Sequence, residues 1–359
     1  MDSTEFAIVG AGAMGAAAAW ALARAGHPDT IVLDRFAANH DRGSSHGPTR
    51  IFRFAYPDPF YVRLGQQSLP LWREIESATG RTLLTTTGGL DIGGEDDLSS
   101  TAAALRSSRA EADVLDAREI RARFPGFSLT AGTGVWSPDT GVLAAQASVE
   151  ATLAASGAQV RRPVVVERIE PGDDDVLLRT SEGPLRARRA IVVAGPWNGD
   201  LLGGAGVALP LHVTREQVFY FRGGDGLPVL IERGELFRYV VPPLHGAPGA
   251  KVGEHTAGER TTADGRSDQI DPEGEARVCD WVAEAVPALD SDPIAAETCL
   301  YTMTPDEDFV IDASGPLVFA SACSGHGFKF APLIGEMLAA LATGRDPPAA
   351  IDRFAASRF

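Results

Sequence analysis

The segment that most constrains this chain is Gly10-Ala11-Gly12-Ala13-Met14-Gly15, because of what flanks it on both sides. Before it, Phe6-Ala7-Ile8-Val9 has the apolar character of a buried strand. After it, residues 16–24 are alanine-rich and close on Gly26, which predicts a helix with its C-terminal stop. Residues 30–33 give a second apolar strand that ends on Asp34. Strand, glycine turn, helix, strand and acid make a βαβ unit with a defined chemistry. Its glycines let backbone N–H groups approach a pyrophosphate at the helix N-terminus, and the acid takes the ribose hydroxyls. The motif predicts a bound dinucleotide and leaves NAD and FAD both open.

The rest of the chain returns to this logic. Residues 146–155 read as a helix, 159–169 as strands, and 190–195 as another buried strand ending in a glycine turn. Near the C-terminus, residues 316–322 form a strand, Ser324-Gly325-His326-Gly327-Phe328-Lys329 a second glycine turn, and 332–342 a helix. A second helix N-terminus therefore points at something; if that is a flavin ring, the dipole and Lys329 stabilise its anionic reduced form. Between these segments, residues 85–92, and 217–221 with 237–241, have hairpin character typical of an antiparallel sheet. Residues 256–274 are polar and rich in Gly and Asp, which predicts a mobile loop. The fold class expected is α/β in two domains (α+β overall). Residues 1–85, 141–212 and 300–359 form a discontinuous Rossmann-like domain, and 86–140 with 213–299 a mostly antiparallel substrate domain.

Composition narrows the partners. A formal charge of -16 over 359 residues disfavours nucleic acid and anionic lipid, so an anionic substrate needs a local basic pocket. The first five residues show no basic leader and no run approaches the roughly 20 apolar residues of a membrane span, which predicts a cytoplasmic protein. Cys279, Cys299 and Cys323 contain no CxxC pair, so no thiolate zinc cage and no metal is expected. Of the 32 basic residues only Lys251 and Lys329 are lysines. A chain that otherwise writes arginine for positive charge marks these two as places that need a compact ammonium.

Six ordered stretches resemble the monomeric sarcosine oxidase and N-methyltryptophan oxidase family of covalent flavoproteins. They are Gly10 to Gly15, Ser45-His46-Gly47-Pro48-Thr49-Arg50-Ile51-Phe52-Arg53, Ala194-Gly195-Pro196-Trp197-Asn198, Lys251-Val252-Gly253-Glu254-His255, Cys299-Leu300-Tyr301-Thr302 and Ser324 to Phe330. The resemblance implies the glutathione-reductase type of FAD-binding domain, a monomer, a small amino-acid substrate and O2. It implies FAD held by Gly10, Gly12, Ala13, Met14, Gly15, Asp34, Arg35, Ser44, Thr49, Val166, Gly195, Trp197, Gly325, Gly327, Phe328 and Lys329. A thioether from Cys299 to the flavin 8-methyl group is expected in addition, since a thiolate is a strong nucleophile.

For catalysis, the resemblance makes Arg53 the clamp for a substrate carboxylate with Lys329 as its partner, a bidentate guanidinium plus an ammonium. Arg50 and His46 border the ring, and their spacing predicts Arg50 and Arg53 on one side of a turn or short helix. Lys251, which by its strand context alone reads as a solvated edge charge, becomes the cation that stabilises developing superoxide. His255 contacts substrate and Tyr301 orients it. The family's pocket tyrosine falls on Val240 by counting back without gaps, with Tyr239 one place off, and Pro48 and Met303 also depart from the family pattern. The reaction expected is oxidation of a secondary amino acid, N-methylated like sarcosine or cyclic, to an imine with H2O2 as co-product. Rival readings are a primary-amine oxidase or a flavin dehydrogenase, an NAD-binding dehydrogenase, and a catalytically silent flavoprotein.

Overall fold

The structure is a computed structural model that describes residues 2–129, 132–256 and 258–359. The βαβ unit forms as expected: strand Asp2–Val9, helix Ala13–Arg24 and strand Thr30–Leu33. Asp2–Val9 lies in an eight-stranded sheet between Gly183–Val192 and Thr30–Leu33, parallel to both, and Gln159–Arg161 continues the sheet beyond Thr30–Leu33. The last three residues of Gly183–Val192 also pair in parallel with Leu317–Ser321, so the second glycine turn starts two strands away from the first. Parallel strands buried on both faces need helices as cover. Helices Ala13–Arg24, Ala145–Ser156 and Ala331–Thr343 supply it on one face, where Ala16 to Leu22 and Leu333 to Ala339 contribute to one apolar core, and the other face packs with Val164, Ile169, Val176, Leu178 and Leu202. Gly335 permits the closest approach, because a Cβ there would meet the backbone of Ala17 at 2.5 Å.

A nine-stranded sheet makes the other half. Its order runs Glu259–Thr261, His212–Gly223, Ala250–His255, Phe237–Val241, Val229–Glu232, Gly89–Ile92, Thr133–Ser137, Asp113–Asp116, with the long strand Leu289–Met303 antiparallel along His212–Gly223. All its pairs are antiparallel except Gly89–Ile92 with Val229–Glu232. Side chains alternate across it. Phe219, Phe221, Val240, Ala250 and Val252 join an apolar cluster with Trp281 and Val282 of helix Pro272–Ala285. Their neighbours Tyr220, Tyr239, Val241, Lys251 and His255 line a cavity instead. A three-stranded sheet of Thr49–Phe52, Gly141–Ala144 and Leu84–Thr86 completes the strand inventory of the described residues.

Four local expectations are corrected. Residues 85–92 are not a hairpin, since Leu84–Thr86 and Gly89–Ile92 enter different sheets across Gly88, which has φ 71°. Residues 217–221 and 237–241 do not pair, because Ala250–His255 lies between them. The polar segment 256–274 includes a short strand, Glu259–Thr261, on His212–Gly223 and the start of helix Pro272–Ala285. Arg50 and Arg53 sit on neither a turn nor a helix: Thr49–Phe52 is a strand paired with Gly141–Ala144. Residues three apart on a strand face opposite ways, and both arginines still reach the cavity because the strand ends at Phe52 and Arg53 lies beyond it.

Candidate active site

A cavity of about 440 Å³ runs from the first glycine turn, between the two large sheets, to the second. Its nucleotide end is built from backbone. Gly10 adopts φ 108°, and a Cβ there would lie 2.5 Å from the carbonyl oxygen of Val193; a Cβ on Gly15 would lie 1.8 Å from the carbonyl oxygen of Gly10. Asp34 accepts from the N–H of Ala11 at 2.8 Å and from that of Phe36 at 2.9 Å, which orients its carboxylate at the end of the second strand. Ser45 Oγ accepts from the N–H of Ala13 at 3.1 Å. Trp197 and Arg35 close the rim together: Trp197 Nε1 donates to Asp264 at 2.9 Å, and Arg35 pairs with the same carboxylate at 3.0 Å.

The other end is built from charged side chains. Arg50 donates to the carbonyls of Ser44, His46 and Thr49 at 2.8–2.9 Å. Lys251, 5% exposed, donates to the same Thr49 carbonyl at 2.6 Å. Burial foremost, then the Arg50 charge, lowers the Lys251 pKa to about 7. Facing them, Lys329, 4% exposed, donates to Tyr56 Oη at 2.9 Å and to the carbonyl of His326 at 2.6 Å. Arg53 lies 4.4 Å over the Tyr56 ring, so guanidinium and ammonium share one tyrosine. Burial and the Arg53 charge push the Lys329 pKa well down. Burial first, then neighbouring cations, holds His46 at about 3 and His255 at about 4, so both imidazoles are neutral at pH 7.

Rings form the remaining wall. His255 stands 5.0 Å from Phe237 and 5.5 Å from Tyr301, ring centre to ring centre. Gly325, at φ 70°, allows the second glycine turn to lie against both: a Cβ would be 2.4 Å from His255 and 2.5 Å from Tyr301. Cys299, next to Tyr239 and Tyr301 in this wall, has its thiol pushed up to about 11 by burial, against the pull of Arg50 and Lys251. Tyr239 lines the cavity, and Val240, fully buried, belongs to the apolar cluster on the opposite face.

Residues 5–341 fit the family described as FAD dependent oxidoreductase. The chain belongs to that family. It is therefore an FAD-dependent oxidoreductase, and its cofactor is FAD, not NAD. It is 33% identical to monomeric sarcosine oxidase of Arthrobacter sp. (strain TE1826), over 94% of this chain and 92% of that protein. It is 30% identical to N-methyl-L-tryptophan oxidase of Salmonella heidelberg, over 99% of each. Among solved structures it resembles NikD, an unusual amino acid oxidase essential for nikkomycin biosynthesis, at TM-score 0.87 and 27% identity, covering 99% of this chain and 98% of that one.

Side chains of the cavity fit the family's cofactor. His46 Nε2, Thr302 Oγ1 and Ser321 Oγ line it, are buried and have no hydrogen-bond partner in the protein, an unstable state unless a ligand with polar ring atoms completes it. Every residue expected to hold FAD or act in catalysis lines the cavity except Gly15 and Thr49. Gly15 shapes the turn beneath it, and Thr49 offers its carbonyl to Arg50 and Lys251. Cys323 lines it as well, whereas Cys279 is in helix Pro272–Ala285. Sequence reasoning missed Tyr56, Tyr220, Phe237 and Glu297. Tyr220 donates to Glu297 at 3.0 Å, and both line the wall near Lys251. Tyr220 lies in an apolar run, where nothing in the pattern separates core from cavity, and Tyr56 is not in the lining itself but holds Lys329 from behind it. No helix among the described residues is long and apolar enough to cross a membrane, and no three His, Cys, Asp or Glu among them are placed to hold a metal.

Proposed function

We propose that the enzyme oxidises the C–N bond of a small secondary amino acid, N-methylated or cyclic, to an imine, with O2 reduced to H2O2. The observation that carries this reading is the pair Arg53 and Lys329, two buried cations on one tyrosine at the wall of the cavity. Such a pair has use for a carboxylate and none for a plain amine. The relatives named for sarcosine and N-methyl-L-tryptophan support the same substrate class.

When bound, FAD supplies the two-electron oxidation and the return of electrons to oxygen. The chain supplies the rest. Gly10, Gly12, Ala13 and Met14 cradle the pyrophosphate, Asp34 and Arg35 the nucleotide sugar, and Gly195, Trp197, Val166 and Ser44 line its length. Arg53 and Lys329 fix the substrate carboxylate, and Tyr301 and the neutral His255 orient the amine, so that positioning carries much of the rate enhancement without a strong base. Lys251 places a buried positive charge where oxygen is reduced, and Arg50 with His46 braces the segment beneath.

Cys299 is the residue we assign to covalent attachment. Burial keeps its thiol protonated at neutral pH; Arg50 and Lys251 pull it toward the thiolate, and the Glu216 carboxylate opposes them. A two-domain division is part of this reading, supported by the separate sheets, but the expected limits 85/86, 212/213 and 299/300 fall inside strands Leu84–Thr86, His212–Gly223 and Leu289–Met303, the last of which stays in the nine-stranded sheet through Met303. A cytoplasmic location is part of it too, as is a monomer, the latter supported by relatives named monomeric sarcosine oxidase. Acid precipitation of the purified enzyme tests the attachment: yellow colour stays with the pellet and maps to the Cys299 peptide, and Cys299→Ala releases it. Flavin that remains in the supernatant from the unmodified enzyme contradicts it.

A further inference from the structure

Arg53 is itself held by two residues that no motif singled out. Asp91, in strand Gly89–Ile92, is 2% exposed. Its Oδ1 accepts from Arg53 Nη1 at 3.4 Å and from Arg233 Nε and Nη2 at 3.2 and 3.0 Å. Both guanidinium groups also donate to the carbonyl of Ala55. Strand pairing makes this meeting possible. Gly89–Ile92 runs parallel to Val229–Glu232 with Asp91 opposite Ile231, and the N–H of Arg233 donates to the carbonyl of Ile92 at 2.7 Å. A phenyl ring backs the group, with Arg53 5.8 Å and Arg233 5.6 Å from Phe237.

One carboxylate between two guanidinium groups leaves a net charge of one positive. Arg233 claims Asp91 Oδ1 with two close hydrogen bonds, and Arg53 receives one long contact from the same oxygen. Arg53 is thereby anchored at Nη1 while its charge stays largely uncompensated toward the cavity it lines. We propose that Asp91 and Arg233 are positioning residues for Arg53, Asp91 fixing the guanidinium and Arg233 keeping Asp91 from neutralising it. This rests on the reading of Arg53 as the carboxylate clamp. Without Asp91 two buried guanidinium groups face each other and Arg53 loses its tether; without Arg233, Asp91 closes on Arg53 and competes with the substrate.

The test uses flavin-loaded enzyme and two probes of equal shape, methoxyacetate and its neutral amide methoxyacetamide, with binding read from the perturbed flavin absorbance. Unmodified enzyme is expected to bind the carboxylate at least tenfold more tightly than the amide. Asp91→Asn and Arg233→Gln each reduce that ratio to below about threefold, and Asp91→Glu restores most of it. In turnover the two weakening variants raise KM for the amino acid tenfold or more, with kcat changed less than threefold. A purely structural role lowers flavin content or kcat and leaves the carboxylate-to-amide ratio alone, and an unchanged ratio in both variants overturns the proposal. Should Asp91→Asn fail to fold, Arg233→Gln decides alone. No preference in the unmodified enzyme removes the clamp reading itself and this inference with it, whereas a preference that both variants keep removes only the inference.

Discussion

The two ends of the cavity are made by opposite means. At the nucleotide end main chain comes to the cavity wall, held in place by the Asp34 carboxylate and Ser45 Oγ, and Gly10 and Gly15 leave no room for a side chain. At the other end the contacts come from Arg50, Arg53, Lys251 and Lys329: Arg50 is braced on nearby carbonyls, whereas Arg53, Lys251 and Lys329 also reach a carboxylate, a carbonyl and a phenol of distant segments. A backbone cradle suits a cofactor whose shape never changes. Buried cations suit chemistry in which negative charge must be recognised or stabilised, and their desolvation is offset only by a ligand or a partner.

That contrast can be broken from either side. The largest effect is expected from Gly15→Val, which drives side-chain atoms into the carbonyl of Gly10; the purified protein is colourless, and flavin content by absorbance measures it. Next, Lys251→Met slows reoxidation by O2 on the order of 10²- to 10³-fold, the scale of losing one preorganised charge partner, and slows anaerobic reduction by substrate less than tenfold. Stopped-flow measurement of both half-reactions separates the two. The pH dependence has a definite sign. Lys251 carries its proton below about 7 and loses it above, so the oxygen reaction falls as pH rises through that value, and the Met variant shows no such decline. Arg53→Met raises KM by roughly 30- to 1000-fold, about 2–4 kcal/mol for a buried charge pair left without one partner. The smallest change sharpens the contrast: Tyr239→Phe keeps the ring, and kcat/KM is expected to change by less than about threefold.

What was legible in the sequence follows the same division. The first glycine turn, its helix and Asp34 act within a few residues of one another, so local spacing revealed them and the strand limits 30–33 agree with the structure. The charged end depends on register. Asp91 meets Arg53 and Arg233 only because Gly89–Ile92 and Val229–Glu232 are parallel neighbours, a pairing no local pattern announces. The two candidate tyrosine positions show how little separates the outcomes. Val240 pairs with Val252 against the helix-covered core, and Tyr239 pairs with Gly253, where a Cβ would come within 2.7 Å of the phenol oxygen. One residue of register turns a cavity wall into core. Arg50 and Arg53 were correctly brought to one cavity by resemblance, yet for a geometric reason, turn or helix, that the strand Thr49–Phe52 replaces.

The most direct test of the central claim is anaerobic mixing of the yellow enzyme with secondary amino acids, their carboxamides and primary amines, followed by admission of air. Oxidation of a secondary amino acid clamped by Arg53 and Lys329 predicts that an N-methyl or cyclic amino acid bleaches the flavin, that its carboxamide does so at least tenfold less efficiently, and that colour and H2O2 appear together when O2 is admitted. Bleaching by the carboxamide or by a primary amine as readily as by the amino acid, or colour that returns only with another electron acceptor, contradicts it.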